Sequence, residues 1–566
     1  MVRSGCSRRS RHAVPMPEIP APMMRTSTWW EVMAPRFTDR ARPCLYLART
    51  FSTVPLRLRS PVPMKHRTRE PRRASKTTMA ASFVPATYAG TRILDARSRL
   101  VVNRFTGGWN LATRDEVKAA GGIDRWFAHQ LSPSSISDTF YTGSASWWYA
   151  NKADPLKVWE RDDAGIENVW AANANYQRWS MLRRMYSKRQ VLETMAAFWE
   201  HHFHVPTAGG PSGGHRMEYG RVLRSHALGR FDTLLNAAIT HPAMGCYLGN
   251  ASSTKSAPNE NLGRELLELH TVGRAAGYTE DDVKSSARIL TGYRVDVWNT
   301  WVASYQPSSH WTGAVKVLGF TSPNTSSDGR AVTKAYLDYL AHHPSTAQRI
   351  ARKLAVRFVS DNPSQALVDH LATVFLANDT AIAPVLKALV ASQEFRSSAG
   401  KKVRTPEEDV IATYRALGVK VGSPKSNSSA AVLMLWQAHQ IGQGPFEWPR
   451  PDGRPDYAGA WSSVSRVLGS FAVHYEMAGT WWPKVDITYK SPASWLPKSS
   501  IRFDALVDHM SRTILGRTST SLLLRVACQA TGIGPATVIT KEHALIRWNM
   551  PRLLTVFLDN PNHIGR

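Results

Sequence analysis

Gln190-Val-Leu-Glu-Thr-Met-Ala-Ala-Phe-Trp-Glu-His-His-Phe203 decides how this chain is read. Val191, Leu192, Met195, Phe198, Trp199, His202 and Phe203 recur at the i, i+3, i+4, i+7 spacing that gathers them on one face of an α-helix. Arg189, Glu193 and Glu200 fall on the other face. Ser187-Lys-Arg-Gln190 reads as a capping box ahead of the run. Val205-Pro206 stops it, and a Gly-rich loop follows over residues 209–214. The run ends in three histidines. His202 belongs to the apolar face. His201 and His204 lie off it and are expected to meet solvent or to cap the helix end, where an imidazole interacts with the dipole.

Outward from this stretch the body reads as helix after helix. Thr113-Arg-Asp-Glu116 has the form of a capping box, Gly121-Gly122 ends that helix, and a short one follows over 123–131. Further helices are expected at 216–227, 231–240, 260–272, 280–291, 330–342, 345–358, 364–377, 379–391 and 406–417. Thr279-Glu-Asp-Asp282 supplies a cap and acidic first-turn residues that suit the helix dipole. Short extended pieces are expected near 293–306 and 315–320. Residues 420–460 read as long Gly/Pro-rich loops around one helix near 430–440, and helices return from 500. No solenoid repeat, phosphate loop or Gly-x-Gly-x-x-Gly turn is present. The fold class is mainly α: one large multi-helical body over 81–566 with few extended segments.

Pro258-Asn-Glu-Asn-Leu-Gly-Arg-Glu-Leu-Leu-Glu-Leu-His-Thr-Val-Gly273 carries the densest chemistry. On an α-helical wheel Leu262, Leu266 and Leu269 form one stripe, and Asn261, Glu265 and Glu268 cluster beside it. His270 falls on the opposite flank. Two carboxylates on one face can bind a divalent metal or share a proton as acid and base. A neutral imidazole from another helix would complete a mixed site, and His202 is the natural donor. The metal reading therefore names His202, Glu265 and Glu268, and the catalytic reading names Glu265, Glu268, Asn261 and Arg288, with His270 and His310 as further candidates. The competing reading has Glu265 and Glu268 paired with arginines such as Arg264 or Arg288 in a structural network. No nucleophile elbow or local catalytic cysteine signature appears.

Charge is unevenly spread over the 566 residues. Residues 1–80 hold 17 Lys+Arg against 4 Asp+Glu, almost half of the net +28. This Pro/Arg-rich leader lacks the apolar content to offset ordering entropy and is expected to be disordered. Three readings compete for it: a start site misassigned upstream of Met64 or Met79, a basic arm, or an export signal whose Thr87 and Ala89 make a poor cleavage site. In the body the positive residues are dispersed, which argues against a nucleic-acid partner while leaving it as an alternative. The 4 cysteines exclude a disulfide scaffold, and Cys246 and Cys528 read as buried thiols. No apolar run is long enough to span a bilayer. Among the 20 tryptophans, Trp147, Trp148, Trp298, Trp301, Trp311, Trp481 and Trp482 fall in loop-like segments, where exposed rings can stack on sugars.

Several separated motifs resemble, in order, the bacterial family called domain of unknown function 1800. They are Asn103-Arg104-Phe105; Phe198-Trp-Glu-His-His-Phe203; His241-Pro-Ala-Met244 with Tyr247-Leu248; the 259–271 segment; Tyr278 to Val283 with Ala287-Arg288 and Leu290-Thr-Gly292; His310 with Lys316 to Gly319; and Gly442-Gln443, Pro445-Phe446, Trp448-Pro449 and Pro451-Asp-Gly453. Gly263 stands where the family usually has alanine, at about 1 kcal/mol of helix propensity, and Tyr293 where Trp is common. The resemblance implies a large helical bacterial protein, often exported, without assigned activity or catalytic residues. Three functions follow as expectations. The first is a metal- or acid/base-site protein, hydrolytic on an envelope polymer. The second is a non-catalytic envelope binding or scaffold protein, partnered by a glycan or other envelope component, that uses the same residues as its core. The third is a basic nucleic-acid binder. The compartment stays open, since no convincing signal peptide accompanies the exported resemblance.

Overall fold

The computed structural model describes residues 83–207 and 210–566. The basic leader expected over 1–80 lies outside them. The described residues carry 24 α-helices and four two-stranded antiparallel ribbons, a mainly α architecture as the periodicity implies. None of these helices is long and apolar enough to cross a membrane. The expected extended pieces form the ribbons Tyr293–Val295 with Ala303–Tyr305 and Val315–Val317 with Phe320–Ser322. Apolar side chains gather in one large core drawn from Leu94 to Phe395 and a second from Met181 to Leu558. A small aromatic core joins them, in which Trp159 and Trp301 stack at 3.8 Å. Trp301 is thus buried, whereas Trp298 and Trp481 are exposed.

Caps depart from expectation in instructive ways. The helix expected to open at Thr113 opens at Leu111, because Asn110 accepts the Thr113 N–H and is itself a strong N-cap. No capping box forms at Ser187: its hydroxyl bonds Asp138 and accepts the Arg189 N–H, and the helix runs from Gln190 to His202. The Thr279–Asp282 box is present in both directions. The helix expected from 216 begins at Gly213, and several helices carry no expectation at all, among them Ala96–Phe105, Pro155–Asp163, Val169–Tyr186 and Val464–Ala478. The last two, the longest of these, each hide their period differently. In the first, Asn173, Asn175, Gln177, Arg183 and Arg184 are buried, so polar residues interrupt the apolar period. In the second, Val464, Leu468, Phe471 and Tyr475 face outward and blur it.

The Gln190–His202 helix has no solvated face. Glu193 is buried between Arg183 at 3.0 Å and Arg224 at 2.6 Å. Glu200 accepts from Arg216 and from the Tyr176 hydroxyl, each at 2.9 Å. The acidic residues of the expected polar face are therefore internal ion pairs. Breaking one partner of such a pair strands a buried charge and costs about 3–5 kcal/mol. His204 is buried too, corrected from its expected surface role, with Nε2 donating to the Trp448 carbonyl at 2.7 Å.

Candidate functional site

The 258–273 segment is not one α-helix. It is α-helical over Glu260–Glu265 and π-helical over Leu266–His270. The wider π turn rotates the later residues relative to a 100° wheel. Leu262, Leu266, Leu267 and His270 are buried, while Leu269, expected in the stripe, is only half-buried. Gly263 has a packing reason: a Cβ there would lie 2.8 Å from the backbone nitrogen of Ala287 on the crossing Glu280–Ile289 helix.

This π turn docks on the end of the Gln190–His202 helix through two reciprocal bonds. His202 Nε2 donates to the His270 carbonyl at 3.1 Å, and His270 Nδ1 donates to the His202 carbonyl at 3.0 Å. A carbonyl can only accept, so both rings have their tautomers set. His202 Nδ1 is left as an acceptor, and Lys353 Nζ donates to it at 3.0 Å. Burial, then Lys353, holds His202 far below the usual imidazole range, and the same two causes push His270 down to about 3.

Lys353 sits on the Pro344–Phe358 helix in a run of cations at i, i+4 and i+8. Arg349 donates to the Leu269 carbonyl at 2.9 Å, and Arg357 pairs with Glu408 at 2.5 Å and Asp456 at 3.4 Å. Between them Lys353 has no carboxylate within ion-pair distance among the described residues. Burial, and then Arg349, push its ammonium down to about 7. It lines a cavity of about 580 Å³ with His201, His202, Arg352, Trp448 and Asp452 on its walls. The third wall is the 448–457 loop. Gly453, at φ +71°, seats this loop on the helix end: a Cβ would fall 2.0 Å from the His201 carbonyl oxygen. Trp448 Nε1 donates to Asp452 at 3.0 Å, and Arg450 pairs with Asp452 at 2.8 Å.

The other expected residues distribute as follows. Glu265 is half-buried with no hydrogen bond or ion pair among the described residues. Burial, then Glu268, and further Asp452, raise its carboxyl above the usual range. Glu268 pairs with Arg274 at 2.9 Å, an arginine other than the two expected, and accepts from Tyr278. Asn261 is exposed. Arg288 lies over the Trp311 ring at 4.8 Å, and His310 bonds Thr291 and Asn324. Neither lines the cavity. Two sets of three acidic and imidazole ligand atoms lie within 4.8 Å of one another among the described residues: Asp409, His474 and His563, and Asp232, His342 and Asp379. Neither set contains His202, Glu265 or Glu268.

Two motif segments thus line one cavity, the histidine end of one helix and the Trp-Pro/Pro-Asp-Gly loop, and the π turn is clasped to the first of them through His202 and His270. The model of a family described as a protein of unknown function, DUF1800, matches residues 100–564. The chain belongs to this family. No curated protein matches it, and no solved structure does. In this family member the residue that sequence reasoning passed over is Lys353. Its signal was present: Arg349, Lys353 and Arg357 repeat at i+4 on one face of an amphipathic helix, a like-charge spacing that a solvated face alone would not favour.

Proposed function

We propose that this chain is an acid/base enzyme whose reaction takes place in the Lys353 cavity. Lys353 is the proton-transfer group, and His202 holds it in place through Nδ1. Glu265, at the start of the π turn and outside the cavity lining, has its carboxyl raised by burial and by Glu268. The observation that carries this reading is a half-buried lysine on the cavity wall with an imidazole as partner and, among the described residues, no carboxylate within ion-pair distance. A titration point near the working pH is what efficient proton transfer asks for. The acid/base reading fits His202 better than the metal reading. Both of its ring nitrogens are engaged, and a divalent cation at Nδ1 would have to displace the Lys353 ammonium. An envelope polymer remains the proposed substrate and hydrolysis the proposed reaction.

The test compares wild type with Lys353→Met on isolated peptidoglycan, polyol-phosphate and uronate polymers, reading released ends. Release that falls at least about 100-fold in the variant supports the reading, in line with the usual worth of a general acid or base. Equal release by both proteins ends it. A second reading, a binding or scaffold protein, is favoured by the reciprocal His202–His270 clasp, which joins two helices without exposing either ring. It predicts no release from any polymer, together with loss of stability in His270→Ala.

A further inference from the structure

We infer that the cavity takes a sugar-sized ligand bearing an oxyanion, carboxylate or phosphate, with the anionic group seated against Lys353. The inference rests on the acid/base reading of the same cavity and supplies its substrate class.

Charge is unevenly balanced along one helix face. Arg349, Lys353 and Arg357 stand one turn apart, and like charges at i, i+4 repel. Arg357 is compensated by Glu408 and Asp456, whereas Arg349 donates only to a neutral backbone carbonyl. Lys353 has no ion-pair partner among the described residues, although Asp452 and Asp456 act on it from the loop side. Its only hydrogen-bond partner among the described residues is the acceptor nitrogen of a neutral histidine, which brings no negative charge. Arg352, beside it on the cavity wall, bonds only the neutral amide oxygen of Gln365 and has no ion-pair partner among the described residues. The cavity therefore offers one half-buried cation without an ion-pair partner among the described residues, Lys353, beside the exposed Arg352, with the paired Arg357, Arg450 and Arg454 and the carboxylates Asp452 and Asp456 on its other walls. An anion at this place would relieve the repulsion that the fold leaves standing. The cavity volume, about 580 Å³, lies in the range of small-molecule sites. Trp448 and Tyr457 on its walls suit a ring compound, since aromatic faces give large contact area to a body with a polar edge.

Anion binding has a consequence for the proton. The groups facing Lys353 are Arg349 and Arg357 on its own helix, His202 and His270 across from it, and Asp452 and Asp456 on the loop side. An added anion favours the charged ammonium, so binding above neutral pH takes up a proton. The bound ligand thus loads the proton that Lys353 then donates.

The experiment is calorimetry on the full chain at low salt and about pH 8, in two buffers of different ionisation enthalpy. The probes are glucuronate, glucose 6-phosphate, inorganic phosphate and glucose. At least one charged sugar is expected to bind roughly ten-fold or more tightly than glucose, with proton uptake, and Lys353→Met is expected to abolish that preference. Glucuronate binding alone assigns a carboxylate ligand, and glucose 6-phosphate binding alone a phosphate ester. Inorganic phosphate binding as tightly as the phosphate ester supports the anion seat and removes Trp448 and Tyr457 from it. Glucose equal to the charged sugars, no binding of any charged probe up to roughly 10 mM, or an unchanged preference in Lys353→Met overturns the inference. A Lys353 that titrates near neutrality in a protein that binds no anion refutes the ligand class and leaves the acid/base reading standing. Anion binding with Lys353 titrating at its usual value does the reverse.

Discussion

Two buried histidine clusters in this molecule differ in charge: one is neutral, the other holds an imidazolium. At the cavity, His202 and His270 face backbone carbonyls and the cations Lys353 and Arg349, and both rings are held neutral. In the second core, His474 is equally buried and opposed by the same desolvation, yet Asp409 at 3.2 Å and Asp559 at 2.8 Å raise it to about 9. Asp409 is further held by Arg466 at 3.2 Å and by the Ser470 hydroxyl at 2.6 Å. Burial does not decide whether a histidine is charged; the sign of what it faces does. The clusters also differ in completeness. Around His474 each charge has a counter-charge, as a structural network requires. Around His202 neither Lys353 nor Arg349 has an ion-pair partner among the described residues, and Lys353, on the cavity wall, marks a place where a ligand or a proton belongs.

The sharpest way to break this contrast is Asp409→Asn. It strands the His474 imidazolium and Arg466 in the core, and denaturant unfolding should show a loss of about 3–5 kcal/mol. A loss below about 1 kcal/mol would deny the network its ionic character. Next in size is a pH effect. The folded His474 titrates at about 9 and the unfolded one near 6.5. Its contribution is therefore complete below 6.5 and is lost as pH rises to 9, on the order of 3 kcal/mol. Unfolding curves across that window should show the decline in wild type and a flatter profile in His474→Gln.

Lys353→Met should act with the opposite sign. The folded lysine titrates at about 7 and the unfolded one near 10.5, so between these values the unfolded chain binds more protons. The substitution should stabilise by about 2 kcal/mol at or below pH 7, and the gain should fade as pH approaches 10.5. The smallest effect belongs to Glu268→Gln. Its partner Arg274 is largely exposed, so thermal unfolding should change by under about 1 kcal/mol.

Much of the fold was legible because most of its helices keep an apolar stripe. Residues 280–291, 330–342 and 406–417 read as helices and fold as such within two residues at either end. What the periodicity could not show is where a helix is buried all round or turned inside out, as in Val169–Tyr186 and Val464–Ala478. At the site, His202 and the 258–273 segment were legible as chemistry. Their geometry was not, because a wheel at 100° per residue has no place for a π turn, and the turn decides that His270 and Leu267 face inward. Lys353 and the 448–457 loop lie far along the chain from His202 and His270, and only tertiary packing brings such segments together.

The most direct test of the account is the titration of Lys353 itself, followed by NMR of isotopically labelled lysine side chains and assigned by the resonance missing in Lys353→Met. A midpoint near pH 7 is the predicted result. A midpoint near the ordinary 10.5 would mean that the cavity stabilises a plain ammonium, and it would contradict the acid/base role assigned to this site.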